Sequence, residues 1–357
     1  MIPEGGAVVT MHDVARHAGV SVSTVSYVLT GARPISPATR KRVLAAMAEL
    51  DYQPNAMARG LASRRSRILG LLMPMDDRGT GATETAFVTG AAEAAARAAH
   101  HLLLSPIPAG DVDALRRLAS QRILDGALVM EVQMEDPRVE VLRELGVPFV
   151  LIGRTRDTTG VPFVDIDFDH TVRGAVEHLL DLGHRSIVFV NHSQEALASG
   201  YAPALRTQES FTTVMAEHGL EPLVVTAEDT AAAGRAALRT ALVQCPGLSA
   251  VLAMNEHALF GVLGELALQG LKVPDDVSVV SMVTSAQVAD LATPALTTMT
   301  SPGSTLGRLA VEVLLRTLEG SGGPSHQELV TCSLEVRGSS GHLRRTPERT
   351  PGGVASR

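Results

Sequence analysis

Apolar positions fall into two regimes along the chain. Up to about residue 50 they are sparse and helically spaced: Val14 and Ala15, then Val25 and Val28, then Val43, Leu44, Met47 and Leu50. From residue 68 onward they form short continuous runs, at 68–73, 102–104, 126–130, 148–152, 187–190, 250–254 and 277–280. Longer helical stretches such as 86–99 and 171–182 separate them. Continuous apolar runs alternating with helices predict parallel strands buried on both faces, an α/β body. There are too many strands for one small sheet, so two similar lobes are expected. In such lobes ligands bind at the carboxyl ends of the strands. Polar residues directly follow several runs: Met75-Asp76, Gly153-Arg154 and Asn255-Glu256. Each is also compatible with a plain solvated turn.

The first regime reads as a helix-turn-helix. Residues 13–18 predict a helix that Gly19 ends, because glycine accepts a left-handed backbone. Ser21 is placed to cap a second helix, with Val25 and Val28 facing inward and Val22, Ser23 and Tyr27 outward. The outward start of a second helix is the part that meets base edges in the major groove. Ser36-Pro37 opens a third helix, a capping serine followed by proline at the first helical position. Residues 54–62 then carry good helix formers but are few, and Gly60 weakens them, so a helix there is marginal by itself.

Charge changes the picture. The net charge is −7, which alone argues against nucleic acid. Residues 1–66, however, hold eight basic and four acidic side chains, and the remainder holds twenty-three and thirty-four. A +4 head on a −11 body fits a basic DNA reader on a surface that discourages non-specific binding elsewhere. The two cysteines, Cys245 and Cys332, have neither disulfide-framework nor metal-site spacing and read as buried thiols. His100-His101 are adjacent and so point apart, which argues against a metal site. His178 and His184 read as caps or surface residues. No secretion signal or membrane-length apolar run is read in the sequence, so a cytoplasmic protein is expected. Neither Lys41 nor Lys272 is followed by Ser or Thr, so there is no Walker A loop, and no Gly-x-Gly-x-x-Gly follows the first strand. A nucleotide-dependent enzyme is therefore disfavoured, and no cofactor is expected. A transport-type binding protein would need an export signal and would have no basic head.

The segment DVARHAGVSVSTVSYVLTG, with Ser36…Thr39-Arg40 and Tyr52-Gln53-Pro54-Asn55, resembles the LacI/GalR family of bacterial transcription regulators. The resemblance continues through Asp181-Leu-Gly-His-Arg185, Pro274-Asp-Asp-Val-Ser-Val-Val280 and Pro294-Ala-Leu-Thr-Thr298, nearly the whole chain. It implies an all-α helix-turn-helix head and hinge helix joined to a two-lobed, periplasmic-binding-protein-like α/β body with parallel sheets. It implies that Thr10, Ser21, Thr24, Ser26, Thr30, Ser36 and Thr39 lie near phosphates, and Val22, Ser23 and Tyr27 near bases. Two hinges would pair over the operator centre with Leu61 wedged into the minor groove beside Asn55, Ala58 and Arg59; the alternative is that Leu61 only packs against the body. Three departures stand out. Tyr27 occupies the usual position of an arginine, the common guanine reader. Ser281-Met282-Val283-Thr284 replaces a segment carrying a sugar-binding aspartate. Arg206 precedes Phe211 by one residue more than the usual pocket arginine precedes its aromatic.

The expected layout is a flexible N-terminus (1–9), a DNA-binding domain (10–53), a hinge (54–66), a body (67–337) and a disordered tail (338–357). Chain crossovers between lobes are expected near Asp165, Thr297 and Gly320. The expected function is a repressor that binds a palindromic operator as a homodimer, or as a tetramer. A sugar or related metabolite in the inter-lobe cleft, touching Met75, Asp76, Arg154, Arg206, Asn255, Glu256 and Thr284, would control it. The alternatives are control by a protein co-regulator, or a binding protein or enzyme on the same body.

Overall fold

A computed structural model describes residues 9–30, 33–52, 66–75, 81–320 and 326–344. The head consists of α1 (Met11–Ala18), α2 (Val22–Thr30) and α3 (Pro37–Glu49). Thr10 opens α1 by exchanging bonds with Asp13, whose Oδ2 accepts from the Thr10 amide at 3.0 Å and from its hydroxyl at 2.6 Å. Gly19 closes α1 at φ 63°, a left-handed turn that only glycine adopts without strain. Ser21 caps α2 and Ser36 caps α3, each accepting a backbone N–H three residues on at 3.2 Å. Val14, Ala15, Ala18, Val25, Val28, Val43 and Ala46 form the head's core.

The body begins with β1 (Ile68–Met73), α4 (Ala82–Arg97), β2 (His101–Pro106), α5 (Val112–Ser120), β3 (Gly126–Val129), α6 (Pro137–Glu144), β4 (Phe149–Ile152) and β5 (Phe163–Ile166). The chain then enters a second sheet through α7 (Phe168–Asp181), β6 (Ile187–Asn191), α8 (Gln194–Ala198), α9 (Ala202–Glu217), β7 (Leu223–Thr226) and α10 (Ala231–Gln244). It continues with β8 (Ala250–Ala253), α11 (Glu256–Leu268), β9 (Ser278–Thr284), α12 (Ala286–Ala289) and β10 (Thr297–Thr300). The remaining elements are α13 (Gly303–Leu318), β11 (Gln327–Val330) and β12 (Ser333–Glu335). Lobe 1 is an all-parallel sheet in the order β11-β5-β4-β3-β1-β2, and lobe 2 runs β12-β10-β9-β8-β6-β7 with only the β10–β12 pair antiparallel. Strands buried on both faces explain the uninterrupted apolar runs, such as Phe149–Ile152 and Ile187–Asn191. One core cluster of buried side chains reaches from lobe 1 into lobe 2; two others fill the outer faces.

Several expectations need correction. After α13 the chain gives one strand to each sheet: β11 joins lobe 1 and β12 joins lobe 2. The last change of sheet therefore falls between Val330 and Ser333, not near Gly320, because α13 still packs on lobe 1. Residues 338–344 are an ordered strap rather than a tail. The Ser339 carbonyl accepts from the Val279 amide at 2.7 Å, and the Ser339 hydroxyl accepts from the Thr297 amide at 2.8 Å. His184 is 1% exposed and meets the Gly341 carbonyl at 3.0 Å, while His178 meets the Ser340 hydroxyl at 2.9 Å. Both histidines hold the strap, and neither is a surface cap. Of the two thiols, Cys332 is buried and Cys245 only half-buried.

Candidate functional site

The head presents short polar side chains around the start of α2. Ser21 and Ser23 are exposed and joined through their hydroxyls at 2.9 Å, and Ser21 also meets the Thr24 hydroxyl at 2.8 Å. Thr24, Ser26 and Tyr27 are half-buried, as is Val22, which packs against the head's core instead of standing free. Arg33 lies over the Tyr27 ring, 5.3 Å from its centroid, so a cation accompanies the tyrosine that stands in place of arginine. Thr10 is the α1 cap, Thr30 ends α2, and the hydroxyls of Ser36 and Thr39 are bonded at 2.9 Å at the entry to α3. Exposed Arg40, Lys41 and Arg42 follow in the next turn. Asn55, Ala58, Arg59 and Leu61 of the hinge lie outside the described residues, as does Asp76 of the body.

A cavity of about 590 Å³ lies between the lobes at the carboxyl ends of their strands. Met73, Phe87, Met130, Ile152, Phe168 and Leu306 give it an apolar floor. The Met130–Gln133 turn along its wall is fixed from behind by Arg138, which is fully buried. Arg138 donates to the carbonyls of Ile107, Met130 and Glu131 at 3.0–3.1 Å and to both carboxylate oxygens of Asp136 at 2.7–3.0 Å. Among the described residues, two sets of contacts join the lobes at the cavity. The Val132–Met134 backbone bonds to Gly200–Ala202 through Met134 N–H to the Gly200 carbonyl (2.7 Å) and Ala202 N–H to the Val132 carbonyl (3.0 Å). The Thr83 hydroxyl of α4 stands 3.1 Å from both Glu256 Oε2 and the Val283 carbonyl oxygen of lobe 2.

Of the expected cleft residues, Asn255 and Glu256 line the cavity. Asn255 caps α11 and donates to the Ala227 carbonyl at 3.0 Å. Met75, Arg154, Arg206 and Thr284 do not line it. Met75 is 49% exposed, beyond the wall that Met73 and Pro74 form. Arg154 sits behind Asp165, 3.6 Å from its carboxylate. Arg206 turns to the Thr155 carbonyl at 3.0 Å. Thr284 is buried and bonded to the Ser281 hydroxyl, because Val283 is a bulge: Met299 and Thr300 pair with Met282 and Thr284, leaving Val283 extra, with φ 54°. A bulge re-aims the residues beside it, and here Val283, not Thr284, faces the cleft.

Periodicity did not reveal the rest of the lining. From lobe 1 come Thr83, Glu84, Glu131, Gln133 and Asp165. From lobe 2 come His192, Glu195, Tyr201, Glu228, Asp229 and His257. Burial raises the Asp165 pKa to about 7 against the pull of Arg154. Burial also lowers that of His192 to about 4, with Asp229 opposing. The His192 ring meets Tyr201 edge-on at 5.4 Å. Burial raises Glu256 as well, partly offset by the Thr83 hydroxyl.

Residues 10–55 match the family model described as bacterial regulatory proteins, lacI family, and residues 176–340 match that of a periplasmic binding protein-like domain. The regulator CelR of Thermobifida fusca is 31% identical over 92% of this chain and 98% of its own. Catabolite control protein A of Priestia megaterium is 29% identical over 86% and 92%. Among solved structures, a CelR–cellobiose complex superposes with a TM-score of 0.69 at 28% identity, over 93% of this chain and 99% of that one. The lac repressor dimer bound to operator and the anti-inducer ONPF gives a TM-score of 0.81 at 24% identity over the same shares, a likeness of fold. Identity sustained from the capped head through the last strands makes this chain a member of the lacI family of bacterial regulatory proteins, a DNA-binding transcriptional regulator.

Proposed function

We propose that the protein is a repressor that binds a two-fold-symmetric operator as a homodimer, working in the cytoplasm, with operator affinity set by a small molecule in the inter-lobe cleft. The observation that carries this reading is one chain holding a serine-capped reading helix and a polar-walled cavity spanned by contacts from both lobes. A ligand touching both walls favours one lobe geometry, and a two-state body can pass that preference to the segment joining it to the head. The base readers are the start of α2, with Ser23 and the Tyr27–Arg33 pair foremost. Ser21, Thr24, Ser36 and Thr39, with Thr10, serve phosphates. Leu61 is the minor-groove wedge, with Asn55, Ala58 and Arg59 beside it. No chemistry on the ligand is proposed.

Selection of genomic fragments by the purified full-length protein, followed by footprinting, tests this. A protected palindrome with a distorted centre is the expected result, and Leu61→Ala should weaken binding to it more than to random DNA. Recovery of no preferred sequence at moderate salt would reject the reading.

A further inference from the structure

Taking the inter-lobe cleft as the effector site, as above, we propose that its ligand is an organic cation carrying protonated amines, held by carboxylates of both lobes.

The charge of the cavity is one-sided. Seven carboxylates line it and, among the described residues, no lysine or arginine does. Two have a basic partner: Asp229 with His257 at 3.0 Å, and Asp165 with Arg154 at 3.6 Å. Glu84, Glu195 and Glu228 have no ion pair among the described residues, and Glu256 meets only the Thr83 hydroxyl and lobe backbone. The two arginines that would serve an anionic or oxygen-rich ligand are withdrawn, Arg206 to backbone carbonyls and Arg154 behind Asp165.

Asp165 supplies an independent pointer. It is 5% exposed and lines the cavity. Its Oδ1 accepts from the Ile166 amide at 2.8 Å. No hydrogen bond within the described residues reaches its Oδ2, and the Arg154 Nη1 at 3.6 Å is itself buried without a hydrogen-bond partner. The Asp165 carboxylate lines the cavity with Arg154 only 3.6 Å behind it and not hydrogen-bonded to it, so it is a charge that an ammonium in the cavity can meet. Tyr201 lies in the same field: burial, with the charges of Glu131, Glu84, Asp165 and Asp229 added to it, pushes its phenol's ionisation well up, and the residue lines the cavity. Carboxylates around an aromatic ring suit an ammonium.

The spacing selects an organic cation over a metal ion. Among the described residues no three His, Cys, Asp or Glu side chains stand close enough to share one metal. The negative charge is spread along both walls, so a ligand of some length, with amines and hydroxyls set apart, meets more of it than a point charge does. Such a ligand also relieves repulsion between Glu84 of lobe 1 and Glu256 of lobe 2, which favours lobe closure.

The test is calorimetric titration of the full-length protein with spermidine and glucosamine, each against a neutral counterpart of similar shape, heptane-1,7-diol and glucose, and with calcium chloride alone. An amine should bind at least about thirtyfold more tightly than its neutral counterpart, with affinity falling as salt rises. Glu84→Gln and Glu256→Gln should each weaken it about tenfold. The exposed surface variant Glu221→Gln should leave it unchanged. Tighter binding of glucosamine than spermidine would assign a compact amino-polyol, and the reverse an aliphatic polyamine. Three results overturn the proposal: glucose binding as well as glucosamine, calcium occupying the same site, or amine binding that is absent at about 10 mM or indifferent to both cleft variants. A neutral sugar held by the cleft would reject the cation and leave the repressor reading standing, whereas failed operator selection would strike the repressor reading alone.

Discussion

At the scale of single residues, the cleft is a place where burial sets charge. His192 is held neutral: its pKa falls from 6.5 to about 4 because its ring is desolvated beside Tyr201, with Asp229 pulling the other way. The unfolded chain therefore binds more protons than the folded one between those values. The contribution of His192 to stability is complete above pH 6.5 and is lost as pH falls towards 4. Asp165 has the opposite sign. Its folded pKa of about 7 exceeds the ordinary 3.8, so its burial penalty is relieved as pH falls through that window. Denaturant unfolding of the wild type and His192→Gln at pH 7.5 and 4.5 separates the two. The variant should lose about 1–2 kcal/mol less on acidification than the wild type. Parallel losses would show that His192 is already solvated in the folded chain. Val283 shows the limit of reading residues from sequence. The segment 281–284 is legible as the end of a strand, but a bulge there shifts the register by one. The side chain that faces the cleft is then Val283 and not the expected Thr284. Arg206 and Arg154 stand off the cavity lining for a related reason: the sequence marks where an arginine stands, while the nearest carbonyl or carboxylate decides where its guanidinium goes.

Among elements, the closest approaches are between helices that flank one sheet. In lobe 1, α4 and α13 touch at glycines. A Cβ on Gly307 would stand 2.1 Å from the Phe87 carbonyl oxygen, and one on Gly90 would stand 2.1 Å from that of Ser304. Lobe 2 repeats the device between α10 and α11, where Gly234 and Gly261 face the Ala258 and Ala231 carbonyls at 1.8 and 1.9 Å. These obstacles are backbone atoms in packed helices, so no rotamer change clears them. Gly307→Ala should destabilise the protein by about 2–3 kcal/mol, despite alanine being the better helix former. Thermal unfolding checks this, and a midpoint equal to the wild type would mean that the helices separate freely. Nothing local in the sequence marks these glycines as contacts, because each obstacle is a carbonyl of another helix. Helix starts and the strands buried on both faces were legible, because a serine cap or an apolar run is a local signal. The strap at 338–344 was not. Its own composition buries little, and its order comes from Val279, Thr297, Leu182 and His184, all distant in sequence. The division of 327–335 between two sheets is likewise set by partners and not by the segment itself.

At the scale of the whole molecule, two sets of contacts among the described residues span the cavity, which suits the proposed two-state body. The backbone exchange between Val132–Met134 and Gly200–Ala202 belongs to neighbouring segments that can move as a pair. The Thr83 contact is different: it joins the first turn of α4 in lobe 1 to the bulge and to the start of α11 in lobe 2. One hydroxyl proton is shared there between two acceptors, the Glu256 carboxylate, which the Ala82 backbone also reaches, and the Val283 carbonyl. Burial raises the Glu256 pKa and the Thr83 hydroxyl opposes that shift, so this contact favours the ionised carboxylate. Thr83→Val keeps the shape and removes the hydroxyl. The lost bond is worth about 1 kcal/mol of closure, roughly a fivefold shift in the balance between open and closed lobes. Small-angle scattering of the ligand-free variant should therefore give a larger radius of gyration than the wild type. The variant should also require more ligand for the same change in operator binding, since ligand must then supply the missing closure energy. Identical scattering and identical ligand response would place the control of closure in the 132–134 and 200–202 segments instead.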